Sequence, residues 1–451
     1  MNGSTGGPGD TGDGERHEHD GAGGTGGGPA GPGGSEGFGP ADSWAGRPGP
    51  RAGRKAPSPY GAGATPTGQR AVRRRRWIRR TAIGGAFLVL VAGGAGWALY
   101  EKLNGNITAD EAAARELARY EKERPTALVR GAQNILLIGS DSRAGRANAR
   151  YGRDNGTERS DTTILLHLAA DRRSATAMSI PRDLMTQVPG CRGRDGKQSR
   201  PMFAMFNYAF QKGGSACTIR TVEKMTDIRI DHHMVIDFGG FKKVVDAVDG
   251  VEVCLPKAID DEKAHLRLAA GRRQLDGEQA LGYVRARKSL GNGSDTDRMD
   301  RQQRFLGALV HKVQSNDVLL NPGKLYPVLD AATSSLTTDP GLASLRDLYQ
   351  LVRGMRKVPS EKVQFLTVPR RSYVYDANRD QLVEPQAGRL FSRLRHDRDL
   401  AVSEQRPREE EPREQAAESG SGRAEKRSDA PEDPSSPAPT FRGNTAEQDA
   451  C

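Results

Sequence analysis

Arginine and aspartate recur at the ends of apolar runs in this chain, and these are the residues whose types and spacing can do chemistry. Ser179-Ile180-Pro181-Arg182-Asp183 closes the apolar run Ala175–Ile180. Pro181 has no N–H to give to a central ladder, so Arg182 and Asp183 stand at a strand's end. Asn134-Ile135-Leu136-Leu137-Ile138-Gly139 runs into Ser140-Asp141-Ser142-Arg143. Arg159-Ser160-Asp161-Thr162 precedes the apolar run 163–169, and Arg285 and Arg287 follow a short helix-like segment. Strand ends are where a rigid scaffold presents reactive groups. Four separate segments bringing Asp and Arg to such boundaries predict a site for a metal and a multiply charged anion.

The elements that position these residues are legible as periodicities. Strands are expected over 134–139, 163–169, 175–180, 233–238, 251–255 and 363–368, each a short apolar run bounded by turn residues. Helices are expected over 241–248, 276–283 (capped by Asp276), 300–314 and 342–355. In the third, Phe305, Leu306, Leu309, Val310 and Val313 share one face. Strands alternating with helices predict an α/β domain, a three-layer α-β-α arrangement around a mixed sheet, over residues 134–400. Residues 101–133 read as a charged helical stalk, helical over 107–124.

The flanks are of a different composition. Residues 1–72 hold much of the chain's glycine and read as a disordered tail. Residues 401–451 are rich in Glu, Arg, Pro and Ser and read the same way. Between tail and stalk, Arg73 to Arg80 abuts Thr81 to Tyr100, which carries no charge. Such a stretch is long enough to cross a bilayer at 1.5 Å per residue. The basic block on its N-terminal side predicts residues 73–100 as a basic stop and transmembrane helix. It also predicts a cytoplasmic N-terminus and an extracellular domain.

The net charge of +11 is divided almost evenly between residues 1–80 and the remainder, so neither part has the bias of a nucleic-acid binder, and no nucleic acid is expected as partner. No His/Cys cluster has zinc spacing. Outside the membrane, Cys191 and Cys217 can pair, Cys254 within an apolar strand reads as a buried free thiol, and Cys451 reads as free.

Taken together, several segments resemble the LytR-CpsA-Psr family of membrane-anchored cell-wall enzymes. They are 134–143, 159–162, 179–183, 206–214 (Phe-Asn-Tyr-Ala-Phe-Gln-Lys-Gly-Gly), 246–253, 275–281, 283–287 (Tyr-Val-Arg-Ala-Arg) and 301–303 (Arg-Gln-Gln). Each is weak alone, and together, in the family's order, they are specific. The tail and the segment 376–397 look actinobacterial. The resemblance implies a phosphotransferase. Its donor is a glycopolymer joined by pyrophosphate to a polyprenyl lipid, its acceptor is a muramic acid hydroxyl of peptidoglycan, and polyprenyl phosphate is released. It assigns the pyrophosphate to Arg159, Arg182, Arg285 and Arg287, with Arg298 and Gln302 nearby, and Mg²⁺ to Asp141 and Asp161. Asp295 would orient or deprotonate the acceptor hydroxyl. Guanidinium forks suit phosphate oxygens, and Mg²⁺ suits carboxylates beside phosphate. Arg285 and Arg287 share a face only on extended chain, so the preceding helix should end near Val284.

The chain departs from the family pattern in two places. The loop between Asp141 and Asp161 is long and basic, and Asp297 stands where the family has glycine. The lipid chain needs an apolar tunnel, for which Phe203, Phe206, Phe210, Phe305, Leu309 and Val313 are candidates, plain core being the alternative. Other readings of the whole are a pyrophosphatase acting on the same donor, a membrane-bound regulator, and a non-catalytic wall anchor.

Overall fold

The computed structural model describes residues 67–140, 160–193, 195–264, 266–286, 295–314, 321–403 and 439–447. Helix α1 (Thr67–Gly105) contains the apolar stretch expected from sequence, and Arg73–Gly105 is long and apolar enough to cross a membrane. Ile83, Phe87, Leu88, Val89 and Leu90 are all exposed, as a lipid-facing helix requires. The last turn of α1 meets the folded domain: Leu103 is buried, Lys102 pairs with Asp330 at 3.3 Å, and Asn106 donates to Asp330 at 3.1 Å.

The chain then makes strand β1 (Thr108–Ala109) and helix α2 (Glu111–Arg119), whose first turn is capped by Asp110. Strands β2 (Gln133–Ser140), β3 (Ser160–Leu168) and β4 (Ala175–Ile180) follow, then a hairpin of β5 (Met185–Val188) and β6 (Met202–Met205). Helix α3 (Tyr208–Thr226) leads to strand β7 (His232–Asp237) and helix α4 (Phe238–Ala247). Strands β8 (Val251–Leu255), β9 (Ile259–Asp261), β10 (Leu266–Leu268) and β11 (Gly271–Leu275) form two small antiparallel pairs, β8 with β11 and β9 with β10. Helices α5 (Gly277–Arg285), α6 (Asp295–Gln314) and α7 (Pro322–Ser335) precede β12 (Leu336–Thr338) and helix α8 (Leu345–Met355). Strand β13 (Val363–Thr367) is followed by the hairpin β14 (Arg370–Tyr373) and β15 (Asp376–Leu382), then helix α9 (Gln386–Arg395), β16 (Ala401–Ser403) and β17 (Thr440–Thr445).

Among the described residues the main sheet has nine strands in the order β1-β12-β7-β2-β3-β4-β13-β17-β16. It is mixed, as expected: β2–β7 and β4–β13 are parallel, while β3 is antiparallel to both β2 and β4. The alternation within each strand assigns its faces. Leu136, Ile138, Leu165 and Met178 point to a layer containing α2, α3 and α9. Ile135, Ile164, Leu166 and Phe365 point the other way, toward α8 and Leu306 of α6. A separate core under α4, α5 and α6 holds Val245, Leu255, Tyr283 and Phe305. Gly277 lets α5 begin against α4: a Cβ there would lie 2.5 Å from the Lys242 carbonyl oxygen.

Three expectations are corrected. The region from 401 onward contains two strands of the main sheet, and Phe441 and Ala446 are buried in its two layers. The stretch 251–255 is the expected strand, but it pairs antiparallel with β11, across the intervening β9–β10 pair, and stands outside the main sheet. Cys254 is disulfide-bonded rather than a free thiol, its partner lying outside the described residues. The pairing of Cys191 with Cys217 is present, their Cα atoms 5.6 Å apart.

Candidate functional site

The directions of the strands bring the C-terminal ends of β7, β2, β4 and β13 to one edge, with the start of the antiparallel β3 among them. Asp161 lies at that start. Its neighbours are in register, Gly139 with Thr162 and Ser140 with Ser160, so Asp161 is the extra residue of a bulge. A bulge turns a side chain out of the regular alternation, and this one aims Asp161 along the edge. Arg182 arrives from the end of β4 and donates from Nη1 to Asp161 Oδ1 at 2.6 Å, with Nε 3.4 Å from Asp183 Oδ2. Two carboxylates thus fix the guanidinium. The Asn207 backbone N–H at the start of α3 donates to the Arg182 carbonyl at 3.1 Å and fixes its main chain.

Helices α5 and α6 supply the facing wall. The capping box of Asp276 and Gln279 sets the start of α5, which runs through Arg285, one residue past the expected end. Ala286 is extended (φ −55°, ψ 136°), so the chain leaves the helix there. The Arg285 guanidinium carbon stands 4.7 Å over the Phe238 ring. Gln302 of α6 donates to the Val284 carbonyl at 3.1 Å, Arg301 donates to the Ala286 carbonyl, and Arg298 is buried. Gln303 ties α6 to the sheet, donating to Ser179 Oγ at 3.1 Å and Thr367 Oγ1 at 3.0 Å.

Between these walls lies a cavity of about 440 Å³. Asp161, Arg182, Arg285, Arg298 and Gln302 all line it. So do Leu137, Ile138, Ile164, Met234, Ile236, Phe241, Leu281, Val284, Phe305, Leu306 and Leu336, so the wall is mostly aliphatic and aromatic. Asp141, Arg159 and Arg287 lie outside the described residues. Asp295 opens α6, but its side chain, like that of Asp297, is outside the described part.

Sequence reasoning missed Asp237 and Phe238. Asp237 ends β7 opposite Ser140, accepts from the Gly240 N–H at 2.7 Å to cap α4, and lines the cavity. The signal was available, an Asp closing an apolar run, but the strand was expected to run on through it to Phe238. Of the candidate tunnel residues only Phe305 lines the cavity. Phe206 and Phe210 pack in the α2–α3–α9 layer, Leu309 and Val313 pack against the core under α4–α6, and Phe203 is half exposed. The cavity wall comes instead from the sheet face and from α4 and α5. Their apolar runs give no sign of whether they bound a void or a packed interior.

Arginine, aspartate and glutamine side chains set into an otherwise aliphatic and aromatic wall give the cavity an amphiphilic lining. The chain belongs to the LytR_cpsA_psr family, whose model matches residues 100–395. It is similar to the probable cell wall biosynthesis protein LcpB of Corynebacterium glutamicum, 40% identical over 214 residues, covering 46% of this chain and 48% of that protein. It is also similar to the polyisoprenyl-teichoic acid–peptidoglycan teichoic acid transferase TagT of Bacillus subtilis, 30% identical over 321 residues, covering 69% of this chain and 92% of that one. The chain spans about half the length of the Corynebacterium relatives it matches. The protein gbs0355 of Streptococcus agalactiae shares the fold, with a TM-score of 0.50 at 21% identity over 59% of this chain and 87% of that one.

Proposed function

We propose that this protein is a phosphotransferase that moves a glycopolymer from a polyprenyl pyrophosphate carrier to a hydroxyl of peptidoglycan. The observation that carries the reading is the convergence of Arg182, Arg285 and Arg298 with Asp161 on one apolar cavity. An aliphatic wall takes a polyprenyl chain and excludes water, while guanidinium groups take the pyrophosphate at its head. Family membership and the name of the Bacillus transferase support the same chemistry.

In this reading the acceptor oxygen attacks the phosphorus that bears the glycan. The bond between that phosphorus and the bridging oxygen breaks, the hydroxyl proton passes to a base, and polyprenyl phosphate leaves. Arg182, held by Asp161 and Asp183, and Arg285, stacked on Phe238, meet the charge that shifts to the leaving phosphate. Arg159 and Arg287 would share that load, and Asp295 is the proposed base. The donor set suits a hard cation, since the Asp161 and Asp237 carboxylates line the same cavity. Asp161, with Asp141, would hold Mg²⁺, which supplies charge neutralisation at the phosphates.

The arginine block before the membrane helix supports a cytoplasmic N-terminus and an external domain, and the Cys191–Cys217 disulfide fits that side of the membrane. The test is the full chain in detergent with a prenyl-pyrophosphate glycan, peptidoglycan and Mg²⁺. A phosphodiester-linked product is expected. Release of polyprenyl phosphate without linked product would make the protein a pyrophosphatase instead.

A further inference from the structure

Two hairpins rise from the sheet edge that carries Arg182, and they are locked to one another. Leu184 bridges Asp380, and the Asp380 N–H donates to the Asp183 carbonyl at 3.1 Å. Arg370 pairs with Asp380, both side chains almost wholly buried. Above this joint the surface changes character. Phe203 of β6 faces Tyr373 of β14 with ring centroids 6.1 Å apart, and Tyr373 meets Tyr375 edge-on at 5.3 Å. Phe203 is 50% exposed and Tyr375 85%, and none of the three rings belongs to a core cluster. A row of rings held in water by a rigid base is costly for solubility unless something covers it.

We propose that Phe203, Tyr373 and Tyr375 form a platform for the glycan strand of the acceptor, an inference that rests on the transfer reaction proposed above. The C–H faces of pyranose rings stack on aromatic rings, while their equatorial hydroxyls seek polar groups at the margin. Arg371 and Gln381, paired across the same hairpin, supply planar hydrogen-bonding groups there. The platform is continuous with the site, because β15 carries it from the Asp183 carbonyl. Tyr375, in the turn, lies five residue steps before Asp380, about 17 Å at ~3.4 Å per residue. A strand with one hydroxyl beside Arg182 would therefore lay its next sugars across the rings. The same surface suits a bilayer less well. Asp376 at the tip pairs with Arg379 at 2.9 Å and Asp380 with Arg370, so two of its arginines are already neutralised, and Val374 is the one aliphatic side chain at the turn.

The test uses the full chain in detergent micelles, with Tyr375→Ala and the double variant Tyr373→Ala/Tyr375→Ala. The KM for peptidoglycan should rise about tenfold in the double variant, as loss of aromatic stacking of this kind gives. The kcat should stay within about twofold, and slow donor hydrolysis without acceptor should be unchanged. Sedimentation with peptidoglycan stripped of attached polymer should weaken in parallel, and Tyr375→Trp should restore both. An unaltered KM and unaltered sedimentation would overturn the platform. So would a Tyr375→Trp emission that shifts to the blue in phosphatidylglycerol vesicles and not with soluble glycan strands, which would make the hairpin a membrane contact. If the wild type sediments through Tyr375 yet yields no linked product, the platform stands and the transfer reaction fails.

Discussion

Replacing Arg285 by alanine separates a functional arginine from a structural one. Arg285 ends α5 with its side chain exposed at the cavity, and its stacking on Phe238 at 4.7 Å is one contact that a truncation removes. Exposed cation–π pairs contribute about 0.5–1 kcal/mol, so loss of that stacking should shift melting by a few degrees. The loss in the reaction is set by a different quantity. Arginines that meet transition-state charge in phosphoryl transfer are worth roughly 10³–10⁵ in rate. Arg182 shares the load, so Arg285→Ala should lose about 10²–10³ in single-turnover transfer. Arg285→Lys keeps the charge, forfeits the paired fork and should recover only part. Phe238→Leu leaves the guanidinium in place without its ring and should cost several-fold, between wild type and the lysine variant. The assay is single-turnover transfer beside thermal melting of each variant. Near-native transfer by Arg285→Ala, or a loss that tracks the folded fraction, would refute the reasoning.

Three other perturbations follow from geometry outside the reacting atoms. Gln303→Leu leaves Ser179 Oγ and Thr367 Oγ1 without their buried donor and should destabilise by about 1–3 kcal/mol in denaturant melts. His232 bonds Asp339 at 3.0 Å, which raises the imidazole's pKa above 6.5, and Asp339 is held below 3.8 by its bonds to His232 and the His233 N–H, against burial. The histidine's share of stability is full below the unfolded value of 6.5 and fades as pH rises through the raised folded one. The aspartate's share is full above 3.8 and fades as pH falls. Melting temperature should therefore be highest between those values, and Asp339→Asn should flatten both limbs. Gly443→Ala would drive a Cβ into the Phe365 carbonyl oxygen, so limited proteolysis should cut β17 in the variant and spare it in the wild type.

Much of the sheet was legible because its strands are buried on both faces and read as unbroken apolar runs. The runs at 134–139, 175–180 and 363–368 each mark a strand within a residue or two of its ends. Helix α3 was not legible. Its apolar rhythm is interrupted at Gly213 and Gly214, where the backbone leaves helical angles. Strand β17 was hidden by composition, since it follows a Glu-, Arg- and Pro-rich stretch and draws its burial from partners far away in the chain. The arginines and Asp161 were legible as boundary residues. That Asp161 sits in a bulge and Asp237 beside Ser140 depends on register, which one strand does not reveal about another. Cys254 failed for the same reason, because a thiol does not announce a distant partner.

The register of β13 has a consequence for the order in which the protein can be made. Val363–Thr367 inserts between Ala175–Ile180 on one side and Thr440–Thr445 on the other. Until the ribosome has delivered residues 363–367, β4 is an open edge of a sheet already carrying β2 and β3, a template for any extended strand nearby. Such distant pairings also make the final closure slow. A chain threaded across a membrane would spend that interval with the β4 edge unpaired, so the stage at which it most needs a chaperone falls between the emergence of β4 and that of β13.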